Sequence, residues 1–189
     1  MESANNGKIY ILMNKPAGFV CTAASDSHKT VFELLPDEIR LLQKEKRGQR
    51  LHTVGRLDCD TSGLLLITND GNFSHKMTNP DFCVEKKYEA VIKNPVSKEE
   101  QILYIEKFSK GVLLPAEKKA PEQLSLPCRL SFISETKCLV TVNEGKFHEV
   151  RRLFLSVGNE VLKLKRISMG NFTLPDDLAE GMWKNICIT

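Results

Sequence analysis

Large apolar residues fall in short runs along this chain, and polar breakers separate the runs. Lys8–Asn14 (KIYILMN) predicts a strand, closed by Lys15-Pro16-Ala17-Gly18. Thr30–Leu35 (TVFELL) opens on a capping residue with Glu33 at capping-box spacing, which predicts a short helix. Pro36 interrupts it, and Asp37–Gln43 predicts a further turn or two. Leu64–Thr68 predicts a strand, followed by Asn69-Asp70-Gly71, a tight turn suited to positive φ. Asn72 can then cap a short helix ending before Pro80. Lys87–Lys93 alternates Tyr88, Ala90 and Ile92 against charged neighbours, a strand pattern. Ser97-Lys98-Glu99-Glu100 is a helix start and Gly111 its stop. Leu124–Ile133 and Lys137–Asn143 predict two strands joined at Ser134-Glu135-Thr136. Phe147, Val150, Phe154 and Val157 stand at helical spacing, with Gly158 after the last turn. Val161–Lys165 predicts a strand whose cations, Lys163 and Lys165 with Arg166, form one basic edge or face. Strands and helices interleave with several hairpins, so the expected class is α+β: a mixed, mainly antiparallel sheet with helices packed on it.

Composition narrows the class. At 189 residues the chain can bury its own core without a disulfide or metal. A content of 41 % hydrophobic and 27 % charged residues is the ordinary globular mix, which excludes a disordered or collagen-like chain. Apolar runs such as Leu64–Ile67 are far below the ~20 residues a bilayer span requires. The start, MESANNGK, lacks the basic-then-apolar pattern of a signal peptide, so a cytoplasmic protein with no membrane partner is expected. Six cysteines (Cys21, Cys59, Cys83, Cys128, Cys138 and Cys187) include no C-x-x-C pair, which predicts reduced, mostly buried thiols and no zinc site. No repeat or linker divides the chain.

A net charge of +3 identifies no partner, but its distribution is informative. Between Lys146 and Arg166 the basic residues Lys146, Arg151, Arg152, Lys163, Lys165 and Arg166 face only Glu149 and Glu160. A second knot, Lys44, Lys46, Arg47 and Arg50, holds one acid, Glu45. Such clusters on a nearly neutral chain suit a polyanion; an ordinary solvated face gives the same pattern.

The stretch Gly55-Arg56-Leu57-Asp58-Cys59-Asp60-Thr61-Ser62-Gly63 carries the candidate chemistry. Two aspartates sit between glycines just before an apolar strand, and a carboxylate held there can act as nucleophile or base. A polar turn with local hydrogen bonds is the plainer reading. The residues alone leave Asp58 and Asp60 equally open.

Four motifs occur in order: Asn14-Lys15-Pro16-Ala17-Gly18; Gly55-Arg56-Leu57-Asp58 with Thr61-Ser62-Gly63-Leu64-Leu65; Glu85-Lys86-Lys87-Tyr88; and Glu144-Gly145-Lys146-Phe147-His148-Glu149-Val150-Arg151-Arg152. Together they resemble the RsuA-type branch of the RNA pseudouridine synthases, over nearly the whole chain. The resemblance implies one pseudouridine synthase catalytic domain, with subdomains of approximately 8–78 and 79–188 and a cleft holding Asp58, Tyr88 and Arg151. It implies that Asp58 is the catalytic aspartate, that Tyr88 stacks on the target base, and that Arg151 pairs with the aspartate. Read by themselves, Tyr88 is a core aromatic of a strand and Arg151 a helix surface charge. Lys15, Arg56, Arg152, Lys163, Lys165 and Arg166 are the candidate RNA contacts.

The implied reaction detaches uracil from ribose at N1 and reattaches it through C5, which needs no metal, cofactor or redox change. Attack by Asp58 at C6 of uracil and at C1′ of ribose both fit the sequence. The expected partner is ribosomal RNA or an assembling ribosomal subunit, met by a monomer. Val20-Cys21, Gly71–Thr78 and Phe154–Glu160 are most similar to the branch member acting on 16S rRNA, with the 23S rRNA enzymes as the alternative. Two departures stand out. The catalytic part begins almost at once, without the N-terminal S4-type RNA-binding domain usual in the branch. Lys119–Leu124 replaces the expected Lys-Pro-Ala-type segment. A non-catalytic RNA-binding or ribosome-assembly protein on this fold is the rival reading; a carboxylate hydrolase of another fold has no second motif behind it.

Overall fold

The computed structural model describes residues 7–46, 49–118 and 120–188. Arg47 of the second basic knot and Lys119 of the departing segment lie outside the described residues. Along the chain run β1 (Tyr10–Lys15), α1 (Asp37–Arg40), β2 (His52–Thr53), β3 (Thr61–Thr68), α2 (Gly71–Thr78), β4 (Lys86–Ile92), α3 (Lys98–Lys110) and β5 (Leu113–Leu114). There follow β6 (Gln123–Leu124), β7 (Arg129–Phe132), β8 (Lys137–Val142), α4 (Glu149–Leu155), β9 (Val161–Met169), β10 (Phe172–Thr173) and β11 (Trp183–Asn185). Among the described residues no helix is long and apolar enough to cross a membrane.

Contacts divide the chain into two compact units. One runs through Phe82 and resumes at Asn171; the other is Cys83–Gly170. The boundary thus falls after Phe82 rather than Thr78. The C-terminal stretch belongs to the first unit, because β11 pairs antiparallel with β1, Leu12 opposite Lys184.

In the first unit β1 and β3 pair antiparallel from Tyr10↔Thr68 to Lys15↔Gly63, and β2 joins the end of β3. Every residue of β1 and all but Ser62 of β3 are buried, as continuous apolar runs dictate for strands covered on both faces. Thr30 and Glu33 form the predicted capping box, but over a 3-10 turn, Val31–Leu34. The turn before α2 departs from its expected form. Asp70, not Asn72, is the N-cap: one carboxylate oxygen accepts from the amides of Asn72 and Phe73, and the other from the Tyr10 hydroxyl at 2.8 Å. No positive φ is needed among Asn69, Asp70 and Gly71.

In the second unit β9, β4, β8 and β7 form an antiparallel sheet. Its core gathers Ala90, Ile92, Phe108, Val140, Leu153 and Phe154. Ser97 and Glu100 close a capping box at the predicted start of α3. Gly111 ends that helix at φ +79, where a Cβ would lie 2.5 Å from the Ser125 carbonyl oxygen. The single strand expected over Leu124–Ile133 is two, β6 on β5 and β7 on β8, with Pro127 between them lacking a ladder donor. α4 begins two residues later than its apolar spacing suggests. Phe147 therefore leaves the helix and is exposed, while Val150, Leu153 and Phe154 remain in the core.

Candidate active site

Asp58 stands half-buried in the loop between β2 and β3, and that loop is held from three directions. The Thr61 amide donates to the Asp58 carbonyl at 3.1 Å, closing the turn. The Gly18 amide donates to the Cys59 carbonyl at 2.7 Å, and the Cys21 thiol lies against the Leu57 amide and carbonyl. Beneath the loop the Lys15 ammonium donates to the carbonyls of Thr61 (2.7 Å), Pro16 and Asp58 (both 3.1 Å) and Cys59 (3.2 Å). Asn14-Lys15-Pro16-Ala17-Gly18 is thus the clamp of the Asp58 loop.

Lys15 is 0 % exposed, so the expectation that it touches RNA is corrected. Its strand is covered on both faces, and its charge is spent on backbone carbonyls. Burial holds its pKa below the ordinary 10.5, against the opposing pull of Cys21, Cys59, Asp58 and Asp60. Arg56 and Asp60 are exposed. Lys44 and Lys46 of the second knot are exposed, and Arg50 lines a cavity of about 670 Å³ with Cys21, Phe32 and His52.

Within the second unit, Tyr88 sits half-buried on β4 between Val140 of β8 and Arg166 of β9, packed on the core. The register shifts between Lys87 and Tyr88. Such a bulge re-aims a strand side chain. Arg151, on α4, donates from Nη1 to the Val161 carbonyl at 2.9 Å. The basic residues of this half do not share one surface. Lys163 is exposed and Lys165 half-buried, whereas Arg166, one residue on and therefore on the other side of the strand, is 2 % exposed.

Arg152 is a further correction. It is 0 % exposed, and its guanidinium donates to the carbonyls of Pro115, Phe147, Leu114 and Pro121. It ties the segment after β5 to α4 and has no access to a phosphate. Arg56, Lys163 and Lys165 keep the exposure that an RNA contact requires.

A carboxyl pair that sequence reasoning passed over supports α4. Glu144 accepts from the Leu126 amide at 2.8 Å and from the Lys146 ammonium, and Glu149 accepts from the Lys146 amide at 3.2 Å. Burial first, then the hydrogen bond with Glu144, pushes the Glu149 carboxyl up to about 8, while Glu144 stays below its ordinary value. Lys86 and Cys128 also feel its charge. Between pH 4.5 and about 8 the folded chain holds a proton on Glu149 that the unfolded chain releases, so stability falls as pH rises across that window. Glu149→Gln keeps the neutral form. The thermal midpoint of the wild type should therefore drop by roughly 5 °C more than that of Glu149→Gln between pH 6 and 8. Parallel profiles in scanning calorimetry would remove the shared proton.

Residues 9–156 match the RNA pseudouridylate synthase family, and the chain belongs to that family. It is an enzyme of the isomerase class. Among its relatives is the ribosomal small subunit pseudouridine synthase A of Vibrio cholerae serotype O1, 40 % identical over 183 residues, which are 97 % of this chain and 72 % of the relative. The protein of the same name from Escherichia coli K12 is 38 % identical over 179 residues, 95 % of this chain and 71 % of the relative. A crystal structure of a pseudouridylate synthase superposes with a TM-score of 0.81 at 32 % identity, covering 95 % of this chain and 70 % of that one.

Proposed function

We propose that this enzyme isomerises a uridine of small-subunit (16S) ribosomal RNA, free or in an assembling particle. One observation carries the reading: a carboxylate loop clamped by Lys15, in a chain 40 % identical to a small-subunit pseudouridine synthase. Asp58 is the nucleophile. Its covalent adduct with the target nucleotide forms and is later released, which divides the reaction into easier steps: the N1–C1′ bond breaks, the C5–C1′ bond forms, C5 gives its proton to solvent and N1 takes one up. Atoms balance without any co-reactant. Tyr88 is the surface that receives the extruded uracil, whose removal from a duplex costs a few kcal/mol. Arg151 is the cation matched to the aspartate, and Arg56, Lys163 and Lys165 meet phosphates.

Tritium release from 16S and 23S rRNA transcripts labelled at uridine C5 tests this. Release from the 16S transcript alone is expected. Release from 23S alone would move the enzyme to the large subunit, and none from either, even as precursor particles, would favour a non-catalytic RNA-binding role.

A further inference from the structure

Phe147 is 42 % exposed, two residues before a helix that sends Val150, Leu153 and Phe154 into the core and leaves Leu155, at its far end, exposed. An apolar residue just before an N-cap ordinarily packs on the fourth helical residue. That residue is Arg152, which turns its guanidinium inward to four carbonyls, so Phe147 gains no staple. Phe147 is also absent from the core cluster of its unit and from the side chains packed on it.

The ring is nevertheless held firmly. It stacks on the His148 imidazole with centroids 3.8 Å apart and planes 14° from parallel. His148 Nδ1 is 2.8 Å from the Glu117 carboxylate. His148 adopts φ +48, a left-handed conformation that a non-glycine residue keeps only when its surroundings enforce it. The flanking backbone is tied as well: the Glu149 amide donates to the Lys146 carbonyl, the Arg152 amide to the His148 carbonyl, and Arg152 Nη1 to the Phe147 carbonyl. One face of an aromatic ring is backed by a second ring, on a rigid segment that leads into the helix carrying Arg151. Unpaired bases of RNA are received on such rings.

We propose that Phe147 is a second stacking platform, which takes an unpaired nucleobase of the RNA substrate and thereby positions the strand for reaction. This rests on the reading of the chain as a 16S rRNA pseudouridine synthase. Stacking needs a flat π-face, whereas filling space needs only bulk, so aromatic and aliphatic replacements separate the two.

Steady-state kinetics on the 16S transcript should show KM raised roughly 5–150-fold by Phe147→Ala, the range for losing one stacked base, with kcat within about threefold. Phe147→Trp should stay near wild type and Phe147→Leu should resemble Phe147→Ala. Fluorescence gives an independent readout: the extra emission of the Phe147→Trp protein, over that of native Trp183, should be quenched by the transcript. An unchanged KM in Phe147→Ala, rescue by Phe147→Leu, or an unquenched Phe147→Trp would overturn the platform. A wild type that binds the transcript without turnover would overturn the substrate reading, and the quenching then decides the platform by itself.

Discussion

Asp58→Asn is expected to abolish tritium release, by at least ~10⁴-fold as for loss of an enzymic nucleophile, while RNA affinity changes by no more than about twofold. The substitution keeps size and polarity and removes the carboxylate. Its effect should be confined to chemistry, because backbone groups tie the loop: the Asp58 and Cys59 carbonyls, the Thr61 amide and the Lys15 ammonium beneath them. Asp60→Asn, two residues away and exposed, is the matched control and should retain turnover within about threefold, since a solvated surface polar group contributes little. The two carboxylates that local sequence leaves equivalent are thus separated by one pair of variants. Substantial turnover by Asp58→Asn would remove the nucleophile assignment, and an equal loss of RNA affinity would make Asp58 a binding residue.

The sequence is most legible where the determinants are local. The continuous apolar run around Leu64–Ile67 reads as a strand, and it is one, with both of its faces buried. Ser97 with Glu100 announces α3, since both partners of a capping box lie within one turn. The same logic goes astray at Asp70 and Asn72. Both side chains can cap, and the choice rests with the Tyr10 hydroxyl, 60 residues away in sequence, which fixes the Asp70 carboxylate.

Distance also accounts for the misread cations. Lys15, Arg152 and Arg166 are charged residues at the ends or along the sides of predicted elements, and charge normally implies solvent. What buries Arg152 is a set of carbonyls at Leu114, Pro115 and Pro121, more than 30 residues upstream, which no spacing rule displays. Lys15 offered one usable signal: it closes an apolar strand with no polar alternation, so its side chain had no solvent face to choose. Phe147 shows the converse. Its spacing fits the α4 stripe, but His148 takes a left-handed conformation and starts the helix after it. The motif residues split accordingly into those proposed to act in the chemistry and those, such as Lys15 and Arg152, whose hydrogen bonds hold the backbone around them.

Lys15→Met measures that second role. Methionine matches the length of the lysine stem, so little volume is lost, but every hydrogen bond that the ammonium gives the loop disappears, leaving the Thr61 and Gly18 amides. The carbonyls of Pro16, Asp58, Cys59 and Thr61 then lack the ammonium. An unsatisfied buried carbonyl costs about 1–3 kcal/mol, and relief of the buried charge offsets part of the sum, leaving roughly 2–4 kcal/mol of lost stability. For a chain of this size that is a fall in Tm of roughly 5–15 °C. A carboxylate displaced by about 1 Å loses on the order of 10² in rate, so kcat should fall by that factor with KM nearly unchanged. Lys15→Arg should rescue neither quantity, because a planar guanidinium cannot aim at carbonyls arranged around one point. A phosphate contact at Lys15 would give the opposite pattern. KM would rise, the salt dependence of binding would flatten by about one ion, and Tm and kcat would hold. Calorimetry together with the KM and kcat of one variant therefore separates a clamp beneath the nucleophile from a cation on the RNA surface.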